Sequence, residues 1–258
     1  MAERAVAPAL PMLAQQLKSA LLISWRTPAF SLTSLVLPTI LFVFFGLPRV
    51  NQTQSGVNAG AFLLASFGAY GATSVMLFSF GIGIAQQRAT KSDLLIRATP
   101  VRPWIYLTAQ ALDAMFFALG TLLVLFLFGF AVGGIRLDAL VWANLTWRLL
   151  AGSIPFIGLG FAIGYLTSAN AAPAVLNLVY LPMAFASGLF IPADGLPSFI
   201  RALAPFLPTY RYGQLAWSAV GVHTDPLLTN VLWLVAYAVA FFAVALRAYR
   251  LEEERRFS

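Results

Sequence analysis

Residues 59–85 read AGAFLLASFGAYGATSVMLFSFGIGIA, a run without one charged side chain. As an α-helix at 1.5 Å per residue this run extends about 40 Å, more than the roughly 30 Å of hydrocarbon in a bilayer. The composition agrees. Of 258 residues, 60% are apolar and 10% charged, whereas a soluble domain carries roughly a quarter charged residues. The chain is predicted to be an all-α membrane protein, one transmembrane domain over residues 1–258.

Working outward, further apolar runs predict six transmembrane helices at about 29–47, 59–85, 114–133, 149–167, 171–191 and 227–247. Asp113 and Arg148 are placed at the ends of the third and fourth, because a charge at mid-membrane costs several kcal/mol. Ahead of the first span, residues 9–25 are interrupted by Gln15, Gln16, Lys18 and Ser19. Leu13, Leu17 and Leu21 recur there at helical spacing, which predicts an amphipathic helix lying on the membrane surface.

Six spans put both termini on one side. If that side is cytoplasmic, the inner segments hold Arg4, Lys18, Arg26, Arg88, Lys91, Arg97, Arg102, Arg247, Arg250, Arg255 and Arg256. The outer ones hold Arg49, Arg136, Arg148, Arg201 and Arg211. Eleven against five is the asymmetry that orients a polytopic chain, so the net charge of +7 needs no nucleic acid to explain it. The expected location is a bacterial plasma (inner) membrane, with both termini cytoplasmic.

Several chemistries are excluded. With no Cys, thiolate metal sites and cysteine nucleophiles are absent. Neither lysine, Lys18 or Lys91, follows a Gly, so the phosphate-cradling G-x-x-x-x-G-K-[ST] loop does not exist here. Nucleotide-driven work would need another polypeptide. One His rules out a two-histidine zinc helix. No catalytic or metal-ligating residue is assigned, no cofactor is expected on this chain, and it is not expected to be an enzyme.

The segment 192–220 is too broken to span. Pro192, Pro197 and Pro208 interrupt it, and residues 198–207 offer about ten apolar-rich positions, half of what a crossing needs. It predicts either a re-entrant helical pair packed against protein, since broken helices at membrane depth must have their backbone satisfied, or a plain outer loop.

The order of elements resembles the permease subunit of ABC-2-type ABC transporters over about residues 9–250. Its most specific part is Ser187-Gly188-Leu189-Phe190-Ile191-Pro192, followed by Leu196-Pro197 and Ala204-Pro205-Phe206-Leu207-Pro208-Thr209-Tyr210, which looks like the family's exit from span 5 and its re-entrant pair. Phe190, Pro192, Pro197, Pro208 and Tyr210 would form a gate there. A second part is residues 86–102, similar to the family's cytoplasmic coupling helix between spans 2 and 3. Many members carry a Glu soon after span 2, whereas this chain has Gln86-Gln87-Arg88.

The resemblance implies a working unit of two permease subunits, a homodimer being favoured, with two copies of a cytosolic ABC ATPase that bind ATP and Mg. In that arrangement Leu94, Leu95 and Ile96 insert into a groove of the ATPase, while Arg88, Lys91, Asp93 and Arg97 set the register. The plainer alternative is a solvated loop that only orients the chain. The family's path lies between the permease copies, and here its wall would include Phe67, Tyr70, Met76, Phe80, Asn177, Tyr180 and Met183. Aromatic and Met surfaces suit drug-like, lipid-like or lipid-linked glycan cargo; ordinary helix packing is the competing role for each. Gly160 and Gly164 have the small-x-x-x-small spacing of close helix contacts.

Two rivals differ in class. An ion-coupled secondary transporter would call for matched inverted halves, which the chain does not display, or for a mid-membrane acid such as Asp113. An intramembrane serine protease would need Ser187 near His223, which sits in a turn sequence outside the last span.

Overall fold

The computed structural model describes residues 8–54, 56–91, 103–192 and 195–257. Among these, ten α-helices and one short hairpin follow in order. Helix α1 (Ala9–Trp25) has no buried residue. It stops before Thr27, whose non-helical backbone is the conformation imposed on a residue preceding proline. Helix α2 (Pro28–Phe45) leads to a hairpin of Thr53–Gln54 and Val57–Asn58, turned by Gly56 at φ +80°. Asn58 then caps helix α3 (Ala59–Ala89), its side chain accepting from Ala61 N at 3.1 Å.

Helices α4 (Pro103–Ala131), α5 (Ala139–Gly152), α6 (Ile154–Leu166) and α7 (Ala172–Ala186) follow. Then come the short α8 (Ser198–Leu203), a 3₁₀ turn, α9 (Pro208–Ala219) and the long α10 (Leu227–Phe257). Four stretches are long and apolar enough to cross a membrane: Ala59–Ala89, Trp104–Ala131, Ala139–Leu166 and Leu227–Glu252. Two shorter apolar helices, in α2 and α7, stand where the other two of the six expected spans were placed.

Helix α3 is the axis. Of its apolar stretch 89% is buried, against 11% for α10 at the periphery. Gly81 of α3 faces α6 at its closest approach: a Cβ at Gly160 would meet the Leu77 carbonyl at 2.7 Å, and one at Gly164 the Gly81 carbonyl at 2.8 Å. The glycine pair singled out in the sequence therefore brings α6 backbone against α3 backbone, the dense packing that holds helices together without a hydrophobic force between them. Phe42, Phe67, Leu77, Leu122, Phe156, Tyr180 and Tyr212 fill the core around this contact.

Proline inside α2 is compensated. Pro38 has no N–H to give the Ser34 carbonyl, and Thr121 of α4 donates to that carbonyl at 3.1 Å. The neighbouring helix thus satisfies the freed backbone group, as a nonaqueous surrounding requires.

Boundaries differ from the sequence expectation in four places. The third span was expected over 114–133, but α4 begins at Pro103, and Ile105, Ala109 and Asp113, spaced four residues apart, form one buried stripe; Asp113 is therefore inside the helix. The fourth was expected over 149–167, yet its helical path starts at Ala139 and bends at Ser153, ahead of Pro155. Arg148 lies within that path. Helix α10 continues to Phe257 beyond the expected 247. In the broken segment, Pro208 opens α9 at its first turn, where a missing N–H costs nothing, so the second short helix starts five residues before the expected Gly213.

Candidate functional site

At one end of the bundle the last turn of α3 carries Arg88. Its guanidinium Nη1 donates to the carbonyls of Gly164 at 2.8 Å and Thr167 at 2.9 Å, and its Nε pairs with the Glu252 carboxylate of α10. The cation also lies 5.9 Å from the centre of the Tyr165 ring. A positive group thus closes the carbonyl end of α6, where orphan acceptors and the helix dipole both favour it. Arg88, one of the residues read as an ATPase contact, is occupied within its own subunit.

Lys91, three residues on, is exposed and has φ +55°. A non-glycine residue in this left-handed region costs roughly 1–2 kcal/mol and is incompatible with continuing the helix of α3. Asp93, Leu94, Leu95, Ile96 and Arg97 lie outside the described residues.

Of the seven residues read as a path wall, Phe67, Tyr70, Met76, Phe80 and Tyr180 are buried inside the subunit. Tyr70 and Tyr180 stack at 5.2 Å, Phe190 meets Tyr70 edge-on at 5.0 Å, and the Tyr180 hydroxyl donates to the Tyr70 carbonyl at 2.7 Å. Met183 is half-buried. Only Asn177 is exposed, with its amide donating back to the Pro173 carbonyl at 2.9 Å. The face of α7 open to the surroundings is Asn177, Leu178, Val179 and Phe185; that of α2 is Val36, Ile40 and Phe44.

The residues read as a gate differ in exposure. Pro197 is exposed, Pro192 and Tyr210 are half-buried, and Phe190 and Pro208 are buried. Helix α9 is held on several sides. Thr209 shares a hydrogen bond with Ser187 of α7 and donates to the Met183 carbonyl at 3.0 Å. The Tyr212 hydroxyl donates to the Leu149 carbonyl at 2.6 Å, and the Trp217 indole to Ser66 at 2.8 Å. From α5, Arg148 donates to Asn144 at 2.8 Å and to Ser218 at 2.6 Å.

Arg211 completes the set. Its Nε donates to the Pro205 carbonyl at 2.8 Å and its Nη1 to Asp225 at 2.7 Å, with the guanidinium 5.2 Å from the Trp233 ring centre. This buried arginine ties the short helices α8 and α9 to the turn that leads into α10. Sequence reasoning counted it among the outer charges and passed over Tyr212 and Trp217. The available signal was polar and aromatic residues crowded over 209–217 with no charge excess to solvate them.

On α4, Asp113 is buried and accepts from Ser24 of α1 at 2.7 Å. Its second oxygen has no partner among the described residues. One and two turns earlier, Gln110 donates to Tyr106, which also accepts from Gln87 of α3. These groups line a small crevice with Ser79 and Phe161. His223 is exposed in its turn, while Ser187 is buried on Thr209 and Met183, so nothing here resembles a nucleophile with its base.

The fold and these surfaces define a polytopic helical membrane protein without a nucleotide-binding loop. Residues 45–247 match the family described as ABC-2 family transporter protein, and the chain belongs to that family. It is 29% identical over 229 residues to the transport permease YvfS of Bacillus subtilis (strain 168), covering 88% of this chain and 93% of that protein. A 92-residue stretch is 33% identical to the multidrug ABC transporter permease YbhS of Escherichia coli (strain K12), covering 34% of this chain and 24% of the relative. The chain is thus an ABC transporter permease, and membership implies association with an ABC ATPase.

Proposed function

We propose that this chain is the transmembrane subunit of an ATP-driven exporter, paired with a second copy of itself and served by two ATPase subunits. The observation that carries the reading is the family match across 45–247, on a chain with no P-loop of its own. ATP and Mg belong to the partner, and no catalytic residue is assigned here. The basic excess on the termini and on the 88–102 segment supports a plasma (inner) membrane orientation with both termini cytoplasmic.

The ATPase contact is read onto Leu94, Leu95 and Ile96, with Lys91, Asp93 and Arg97 around them. The path is read onto the open faces of α2 and α7, which flank the axial helix and expose apolar side chains. Tyr70, Phe67 and Tyr180 then back the wall rather than form it, and Asn177 is its polar position. Adaptable apolar faces with one amide suit an amphipathic, drug-like or lipid-like cargo, lipid-linked glycans included. The multidrug description of YbhS accords with such a substrate class.

The test is affinity purification of the tagged permease from its native membrane in mild detergent, with identification of partners and an ATPase assay. A stoichiometric P-loop ATPase is expected, lost when Leu94 and Leu95 are both changed to Asp. A chain that purifies alone and moves solute on an ion gradient would overturn the reading.

A further inference from the structure

Three chain ends meet at Arg88: the exit of α3, the carbonyl terminus of α6 with its turn into α7, and the last turns of α10. One guanidinium binds all three, through the Gly164 and Thr167 carbonyls and through Glu252. Beneath it the backbone contact of Gly81 with Gly164 leaves no side-chain layer to shear. Tyr165 extends the joint by meeting Tyr249 of α10 edge-on at 5.6 Å. Packed interfaces shift between discrete arrangements and do not deform smoothly, and at this end of the bundle the chain ends are joined through the guanidinium.

The continuation of α10 past residue 247 has a role in this geometry. At 1.5 Å per residue its 31 residues reach about 46 Å, well beyond the hydrocarbon thickness. Its surplus turns lie at the Arg88 end, where Glu252 takes the pair.

We propose that Arg88 is a positioning residue that carries displacement of the end of α3 into the α6–α7 turn and the C-terminal turns of α10, and that it does not contact the ATPase. The proposal rests on the reading of residues 92–97 as the ATPase contact. A single guanidinium is suited to the task, since its planar fork binds two carbonyls and a carboxylate in one fixed geometry, which a lysine ammonium does not enforce.

The chain has no Cys, so a single cysteine in place of the exposed Asn170 on the α6–α7 turn accepts a bimane label cleanly. In the assembled complex, ATP with vanadate is expected to shift bimane emission. Arg88→Gln should keep the ATPase bound and lose the shift, while Arg88→Lys restores part of it. Glu252→Gln, which spares the carbonyl contacts, should fold normally and reduce the shift; it decides the matter if Arg88→Gln does not fold. The proposal is overturned if Arg88→Gln retains the full shift, if Glu252→Gln leaves it unchanged in the event that Arg88→Gln is unfolded, or if the parent complex shows none. Loss of the ATPase from folded Arg88→Gln would instead make Arg88 a docking residue. A parent chain that retains no ATPase would remove the reading beneath the proposal, an outcome separate from any behaviour of Arg88.

Discussion

The Trp217 indole donates to the Ser66 hydroxyl at 2.8 Å, joining the short helix α9 to the axial helix α3 across 151 residues of chain. Ser66 in turn donates to the Phe62 carbonyl at 3.0 Å, and the Phe62 ring stacks on Trp217 at 5.1 Å. The whole contact is buried. It makes α9 part of the subunit body, whereas α8 ahead of it has no buried residue.

Trp217→Phe should lower thermal stability in detergent by about 0.6 kcal/mol, the mean for an interhelical hydrogen bond in a membrane protein, with 1–2 kcal/mol as an upper range. Trp217→Ala should cost about 3–5 kcal/mol by leaving a cavity as well. Equal effects of the two would show that the indole N–H, and not the ring, holds α9.

The Thr121 hydroxyl is predicted to matter only because of Pro38. Thr121→Val strands the Ser34 carbonyl and should cost about 1 kcal/mol. In a Pro38→Ala background, where residue 38 regains its N–H, the same change should cost much less. A double-mutant cycle measured by thermal unfolding reads the coupling directly, and additivity would refute the compensation.

Gly164→Ala brings a methyl to 2.8 Å from the Gly81 carbonyl, with backbone on the far side and no flexible chain to yield. A penalty of about 1–3 kcal/mol is expected. Gly83→Ala, two residues beyond Gly81 on α3 and in open space, should be neutral or slightly stabilising. Comparing the monodisperse fraction of each variant on gel filtration tests the contrast.

Arg211→Lys keeps the charge and loses the fork that serves Pro205 and Asp225 together. Leaving Asp225 and the Pro205 carbonyl in one arrangement then has no enforcing group, and faster proteolysis of the 195–226 segment is expected in membranes. Unchanged cleavage rates would place the hold on the re-entrant pair in Tyr212, Trp217 and Thr209 alone.

What the sequence by itself determined is the all-α membrane class of the fold and the family. These rest on local quantities: apolar run length against bilayer thickness and the proline pattern of 187–210. Residues 59–85 needed no tertiary knowledge to be read as helix, nor did the helical order of 9–25. The tertiary structure alone decided what individual side chains do. Phe67, Met76, Phe80 and Tyr180 look the same in sequence whether they line a path or fill a core, since both roles ask for large apolar groups; only the position of α3 at the centre of the bundle buries them. Arg88 likewise sits in a charged stretch that reads as a docking surface. It becomes an internal joint because Gly160 and Gly164, over seventy residues away, let α6 come close enough to offer its carbonyls. A charge's partner is set by distance in space, and no spacing along the chain records it.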